Sequence, residues 1–393
     1  MKTGKTAQTI AAANGIASDA AFGAVTPPIY LSTTYRFPGF KNPGSYEYSR
    51  MSNPTRDQLA DTLAQLEGGC GAVITATGMA AVDLLLATLD RGQLVVAPHD
   101  CYGGTHRLLS LRAAKGHFDV AFVDQNSEAE LTAVLGRRPA LVLIESPSNP
   151  LLRVTDIARV AERSKAVGAK VAVDNTFLSP ALQQPLALGA DFAIHSTTKY
   201  LNGHSDVVGG AVIAADPQDL KGLEEWANAT GITGAPFDAY LTLRGLRTLF
   251  PRLEHQQRNA SAVADFLDRH SCVDAVHYPG LPSHPGHATA VRQQRGFGAM
   301  VSFNVKGGTD GARRFVEAVK LFTLAESLGG VESLVAHPAT MTHASMDAEA
   351  RRVAGIDDSL LRLSVGLEGE ADLLADLDQA LQSVASLPDR AAP

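Results

Sequence analysis

The chemistry-bearing residues of this chain cluster at the ends of apolar segments. In Asp191-Phe-Ala-Ile-His-Ser-Thr-Thr-Lys199-Tyr200 an apolar run leads into hydroxyls and then a single lysine. Upstream, Val171-Ala-Val-Asp174-Asn175 ends in the same way in a carboxylate. A lysine that can form a Schiff base and an aspartate that can pair a pyridinium nitrogen are the two groups pyridoxal 5'-phosphate (PLP) requires of its protein. Each also has a plainer reading. A lysine after a strand is usually solvated, and Asp-Asn often makes a turn or caps a helix. Because both end nearly all-apolar strands, and ligands bind at the carboxyl ends of open parallel sheets, the cofactor reading leads.

Other residues fit around such a cofactor. Thr75-Ala-Thr-Gly78-Met79-Ala80 sits between a strand and a helix, where free amides suit an anion, although ligand-free turns of this kind are common. Ser196 and Thr198, two apart on an extended segment, point the same way and can complete a phosphate cup. Tyr48 and Arg50 offer a phenol and a guanidinium suited to phosphate; an ordinary surface ion pair explains Arg50 equally. Tyr102, on the Gly-flexible loop Asp100–Gly104, is placed to stack on a planar ring or simply to cap the core. Asn149 of Ser146-Pro-Ser-Asn-Pro150 can hydrogen-bond a ring substituent. Arg362 lies inside the apolar run Leu360–Val365, where an arginine needs an anionic partner; a substrate α-carboxylate is the natural one. Glu326 and Ser327 precede Gly329-Gly330 on a loop able to reach the same pocket.

The elements that must position these residues show a clear rhythm. Residues 1–60 are rich in Gly, Pro, Ser, Thr and Tyr with little helical periodicity, and read as an arm that packs on another subunit. Over 61–250, short apolar strands (Ala72–Thr75, Leu94–Ala97, Val120–Val123, Ala140–Glu145, Lys170–Asp174, Phe192–Ser196) alternate with helical stretches such as 56–66, 79–89 and 156–166. That spacing is the pattern of βαβ units and a mainly parallel sheet. Gly209–Ala215 adds a further strand, for which an antiparallel pairing is open. Residues 251–393 change to a smaller α+β domain, entered by a long helix near 247–269, with strands at 299–304 and 361–364 and helices at 312–319 and 370–384. The tail from Leu387 is expected to fray.

Bulk properties narrow the class. The chain has 393 residues, 45% hydrophobic and 19% charged, enough for two domains and a large core. A net charge of −7 argues against nucleic acid or an anionic membrane as partner. Cys70, Cys101 and Cys272 give no disulfide framework and no metal-ligand spacing, so buried inert thiols in a reducing cytoplasm are expected. The first residues lack the apolar segment of a signal peptide, and Gly71–Leu89 is too interrupted to span a membrane.

These pieces, in this order, resemble the Cys/Met-metabolism family of PLP enzymes, which includes cystathionine γ-synthases, cystathionine γ-lyases, cystathionine β-lyases and methionine γ-lyases. The resemblance runs from about Gly15 to Ala385. It rests on Tyr48-Ser-Arg-x-x-Asn-Pro-Thr-Arg56, Thr77-Gly-Met-Ala80, Tyr102-Gly-Gly104, Val173-Asp-Asn-Thr-Phe177, Ser196-x-Thr-Lys-Tyr200, Gly203-His-Ser-Asp206 and Leu324-Ala-Glu-Ser-Leu-Gly-Gly330. It implies an aspartate-aminotransferase-type (fold type I) α/β fold and a homotetramer of dimers that share active sites. It implies that Lys199 is the Schiff-base lysine and acid/base, Asp174 the pyridinium partner and Tyr102 the stacking residue and a second acid/base. Gly78, Met79, Ser196 and Thr198 would bind phosphate, with Tyr48 and Arg50 from the neighbouring subunit. Arg362, Ser327 and Asn149 would hold the substrate carboxylate.

Within the family the sequence is mixed. Ala97–Gly104, Glu145–Arg153 and Gly234–Tyr240 resemble bacterial γ-synthases. Tyr46–Arg50, Tyr278–Pro285 and Leu363–Glu368 resemble γ-lyases. Arg107, able to meet the acyl carboxylate of an activated homoserine, fits a synthase, although a plain surface arginine would look the same. Lyases carry Glu where this chain has Glu47, to meet the distal ammonium of cystathionine. The expected reaction is therefore γ-elimination of L-cystathionine to L-cysteine, 2-oxobutanoate and ammonia, with γ-replacement on an acylated homoserine as the alternative. Methionine γ-lyase ranks third, since no cysteine matches that enzyme's pocket cysteine, where this chain carries Gly103 or Gly104 nearby. A non-catalytic regulator on the same fold is remote, for it needs a basic DNA-binding patch.

Overall fold

Strands that are apolar over nearly their whole length must be covered on both faces, and most of those in the first two-thirds of the chain are. The computed structural model describes residues 4–344, 346 and 348–385. The larger sheet comprises β1 (Gly71–Thr75), β2 (Leu94–Pro98), β3 (Asp119–Val123), β4 (Leu141–Glu145), β5 (Lys170–Asp174), β6 (Phe192–Ser196) and β7 (Gly210–Ala214). Its order is β1-β7-β6-β5-β4-β2-β3. The strands β3, β2, β4, β5 and β6 are parallel, while β7 lies antiparallel between β6 and β1. Alternate side chains separate cleanly. Val95, Ala97, Leu141, Leu143 and Ala172 pack with the helix Gly78–Leu86 on one face. Leu94, Val96, Val142, Ile144, Val171 and Val173 pack with Leu131, Ile157 and Val160 on the other.

The first long helix shows why the arm ends where it does. Asn53 caps helix Pro54–Glu67 by accepting from the Thr55 and Arg56 amides, Pro54 opens it, and left-handed Gly68 closes it. The arm itself corrects one expectation. Within the stretch that showed little helical periodicity, Ala7–Ala13 forms a short helix, and Asn14 after it donates to Asp61 and Thr62. Cys70 is a second correction: it is exposed, because its strand begins only at Gly71, whereas Cys101 and Cys272 are buried as expected.

A smaller sheet follows, made of β8 (Val273–His277), β9 (Met300–Val305), β10 (Thr323–Leu324), β11 (Leu334–Ala336) and β12 (Leu360–Ser364) in the order β10-β11-β12-β9-β8. Its pairings are antiparallel except β10 with β11. The helices Leu249–Asp268, Gly308–Ala318 and Glu370–Ala385 pack with it. Along β12 the period of two sends Leu361 and Leu363 into the main core and leaves Arg362 on the face toward the larger sheet. The frayed tail expected from Leu387 lies outside the described residues.

The two sheets meet where the loop before β11 touches the turn after β6. Gly329, at φ +77°, lets that contact form: a Cβ there would stand 2.8 Å from the Tyr200 nitrogen and 3.2 Å from the Lys199 carbonyl carbon. Gly329→Ala therefore combines left-handed strain with a backbone clash and should cost about 1–3 kcal/mol. Urea unfolding of the variant tests this, and a midpoint equal to the parent's would show that the contact is slack.

Candidate active site

The carboxyl ends of β4, β5 and β6 deliver Glu145, Asp174 and Ser196 to one floor. Glu145 and Asp174 are register partners across β4 and β5. Above them opens a cavity of 390 Å³ lined by Thr77, Gly78, Met79, Tyr102, Asn149, Thr176, Thr198, Lys199, Glu326, Ser327 and Arg362 as well.

Lys199 follows β6 by a tight turn, closed when the Gly203 amide donates to its carbonyl. Its ammonium donates to Ser327 Oγ at 2.9 Å. Burial, and then the positive charge of Arg362, lower the Lys199 amine from 10.5 to about 8. Ser327 itself sits at φ +81°, a conformation a serine rarely adopts.

Arg362 is 2% exposed. It donates to Asn149 Oδ1 at 2.7 Å and to the Ser327 carbonyl at 3.0 Å. Neither partner is charged, and its Nε is buried with no hydrogen-bond partner among the described residues. Desolvation lowers its guanidinium to about 10. Ser302 on β9 anchors the Asn149 loop from below by donating to the Pro150 carbonyl at 2.6 Å.

Asp174 accepts from the Thr176 amide at 3.0 Å. Burial raises its carboxyl, against the opposing pull of Thr176, His195 and Lys199. The Thr176 hydroxyl accepts in turn from the Ser196 amide, tying β5 to β6 above the floor. At the rim, Thr77 caps helix Gly78–Leu86 by accepting from the Ala80 amide. Gly78 is obligatory there, since a Cβ would lie 2.7 Å from Ser196 Cβ. Thr198 is held by a reciprocal pair of bonds with Gly209. Tyr102, 39% exposed, stands at the mouth.

These groups fit PLP carrying an amino acid. Amides at a helix start with two hydroxyls beside them suit a phosphate, an amine and a carboxylate stand on one floor, and the unsatisfied guanidinium suits a carboxylate. Of the residues singled out in the sequence, Lys199, Tyr102, Asp174, Gly78, Met79, Ser196, Thr198, Asn149, Glu326, Ser327 and Arg362 all line this cavity. Glu47, Tyr48 and Arg50 do not. They are exposed in the arm, with Arg50 donating to Asn228 Oδ1 at 2.8 Å. Arg107 is exposed on helix Gly103–Ala114, outside the lining. Sequence reasoning gave no role to Glu145, although it ends an apolar strand just as Asp174 does. His343 was also missed. It is buried with its Nε2 donating to the Asn149 carbonyl at 3.1 Å, and burial followed by Arg362 lowers it to about 4. The segment around it has no periodicity to read.

Comparison with known proteins agrees. The profile described as Cys/Met metabolism PLP-dependent enzyme matches residues 8–382. Cystathionine gamma-synthase of Escherichia coli (strain K12) is 56% identical over 376 residues, covering 95% of this chain and 97% of that protein. Cystathionine gamma-lyase of Dictyostelium discoideum is 47% identical over 371 residues, covering 93% and 95%. The crystal structure of cystathionine gamma synthase from Xanthomonas oryzae pv. oryzae, in complex with aminoacrylate and cysteine, superposes with a TM-score of 0.97 at 58% identity and covers 98% of this chain and 100% of its own. The chain belongs to the Cys/Met metabolism PLP-dependent enzymes.

Proposed function

We propose that the protein replaces the acyloxy group at Cγ of an O-acylated L-homoserine with the thiol of L-cysteine, forming cystathionine. What supports this reading is the 56% and 58% identity, over nearly the whole chain, to proteins named as γ-synthases, against 47% to a named γ-lyase. The sequence put γ-elimination first on the strength of Glu47. That residue is exposed in the arm and outside its own protomer's cavity, so it weighs less than overall likeness. Elimination from cystathionine stays as the second reading, favoured by Glu326 at the cavity wall, a carboxylate suited to a distal ammonium.

In this reading PLP, when bound, supplies the electron sink that makes the substrate's Cα and then Cβ protons removable. Asp174 holds the pyridinium nitrogen and Tyr102 covers the ring. Gly78, Met79, Ser196 and Thr198 hold the phosphate. Arg362, oriented by Asn149 and the Ser327 carbonyl, receives the substrate α-carboxylate and fixes Cα against Lys199. The Lys199 amine, poised near neutral pH by burial and by Arg362, takes the Cα proton and returns protons along the carbon chain. Tyr48 and Arg50 serve a neighbouring subunit's site within a homotetramer. The exposed arm side chains Phe22, Leu31 and Phe40 offer the apolar surface for that contact. A cytoplasmic location completes the reading.

PLP-saturated protein given O-succinyl- or O-acetyl-L-homoserine and L-cysteine should form cystathionine faster than it releases 2-oxobutanoate from L-cystathionine. The reverse ranking would make it a lyase, and pyruvate from cystathionine would move the cut to Cβ.

The electrostatic link between Arg362 and Lys199 has its own test. The rate at which apoprotein attaches PLP should rise with pH through about 8. Because a neighbouring cation disfavours the protonated amine, Arg362→Gln should move that midpoint upward. It should also cost kcat/KM about 10- to 100-fold by removing charge-assisted bonds to the carboxylate. An unmoved midpoint in Arg362→Gln would refute the coupling.

A further inference from the structure

Glu145 is a buried carboxylate at the end of β4 whose two oxygens face two different loops. Its Oε2 accepts from the Tyr102 amide at 2.9 Å, and its Oε1 accepts from the Asn149 amide at 2.7 Å. The first amide belongs to the residue whose ring stands at the cavity mouth. The second belongs to the residue whose side chain orients Arg362, at 2.7 Å. One rigid strand end thus reaches both the aromatic wall and the carboxylate clamp. The same loops are also joined where the Ser148 hydroxyl donates to Asp100 Oδ2 at 2.6 Å, but among the described backbone bonds none joins Tyr102 directly to Asn149.

We propose that Glu145 is a positioning residue: together with the Ser148–Asp100 bond it fixes the Tyr102 loop and the Asn149–Arg362 clamp in a single frame, and it alone among the described residues holds the Tyr102 and Asn149 amides themselves, so that the stacking ring and the substrate carboxylate are set relative to each other. This rests on the roles assigned above to Tyr102 and Arg362. The chemistry of the acceptor explains why a glutamate stands here. Two N–H donors arriving from different loops need two accepting oxygens, which a carboxylate supplies and an amide does not. Desolvation, then the Asp174 charge, push the Glu145 carboxyl well up, while the Tyr102 and Asn149 amides pull it down. The two amides thus offset part of the cost of burying Glu145 beside Asp174.

In Glu145→Gln one oxygen is exchanged for an NH2 that faces an N–H donor, so one loop is released. The variant should show an altered visible circular dichroism band of bound PLP, which reports the asymmetry of the ring's surroundings, and weaker PLP retention. KM for the amino-acid substrate should rise about tenfold, with a smaller fall in kcat. Because Glu145 acts on the carboxylate through Asn149, the two substitutions should be non-additive: Asn149→Ala should raise KM much less in the Glu145→Gln background than in the parent. An unchanged dichroism band, or a fully additive double variant, overturns the proposal.

The unaltered holoenzyme provides a check that does not depend on a variant folding. Hydrogen exchange should find the Tyr102 and Asn149 amides both protected. Exchange at either as fast as in the exposed arm overturns the proposal. Dichroism and exchange need no turnover, so they decide the role of Glu145 even if the γ-replacement reading fails.

Discussion

A guanidinium buried to 2% exposure without a charged partner among the described residues is the constraint around which this molecule is arranged. Leaving a cation out of water costs several kcal/mol unless bonds replace its hydration. Here the replacements are an amide oxygen from the loop after β4 and a carbonyl from the loop before β11. To meet Arg362, those loops must be brought together from segments far apart in the chain. Ser327 accepts a left-handed backbone to do so, and its hydroxyl then accepts from Lys199. The smaller sheet is thereby docked on the larger one through the site itself. The remaining Nε donor is buried without a partner among the described residues.

The same burial tunes the chemistry. A lysine in water would be almost wholly protonated at neutral pH. Desolvation and the nearby guanidinium bring Lys199 to about 8, where a useful fraction is free amine. Asp174 feels the opposite pressure, since burial favours its neutral form while Thr176, His195 and Lys199 favour the anion. A cationic ring nitrogen above it would settle that balance toward the carboxylate. One low-dielectric pocket therefore frees the amine and disfavours the carboxylate, which its hydrogen bonds and neighbouring cations must hold.

Parallel strand geometry explains why so many groups converge. Because β4, β5 and β6 run the same way, their last residues share one edge of the sheet, and the loops that follow rise over it. Antiparallel β7 has the other function. It accepts the chain after the Lys199 turn and pairs with β6 over its whole length, from Phe192 opposite Ala214 to Ser196 opposite Gly210. That pairing holds the strand that carries Lys199.

Much of this was written in local pattern. Apolar runs ending in Asp174 and Ser196, the Gly78 turn, and an arginine stranded in β12 announced a cofactor and its substrate, because each is a conflict between residue type and surroundings that burial must resolve. The strands of the larger sheet were legible because each is apolar over most of its length. Less was legible in the smaller sheet. β10 has two residues, and β8 pairs with an irregular register, so neither carries a usable period. Glu145 was invisible as a participant, since its importance lies in two amides that are distant in sequence. The exposure of Cys70 was likewise hidden, because it depends on which residue begins the strand. The sequence by itself pointed to the cofactor through residue types at strand ends, and to the family through the resemblance of its motifs. Only the tertiary structure decided which of those residues share a cavity, which loops Glu145 joins, and how far burial shifts Lys199, since distance and dielectric exist only once the chain has folded.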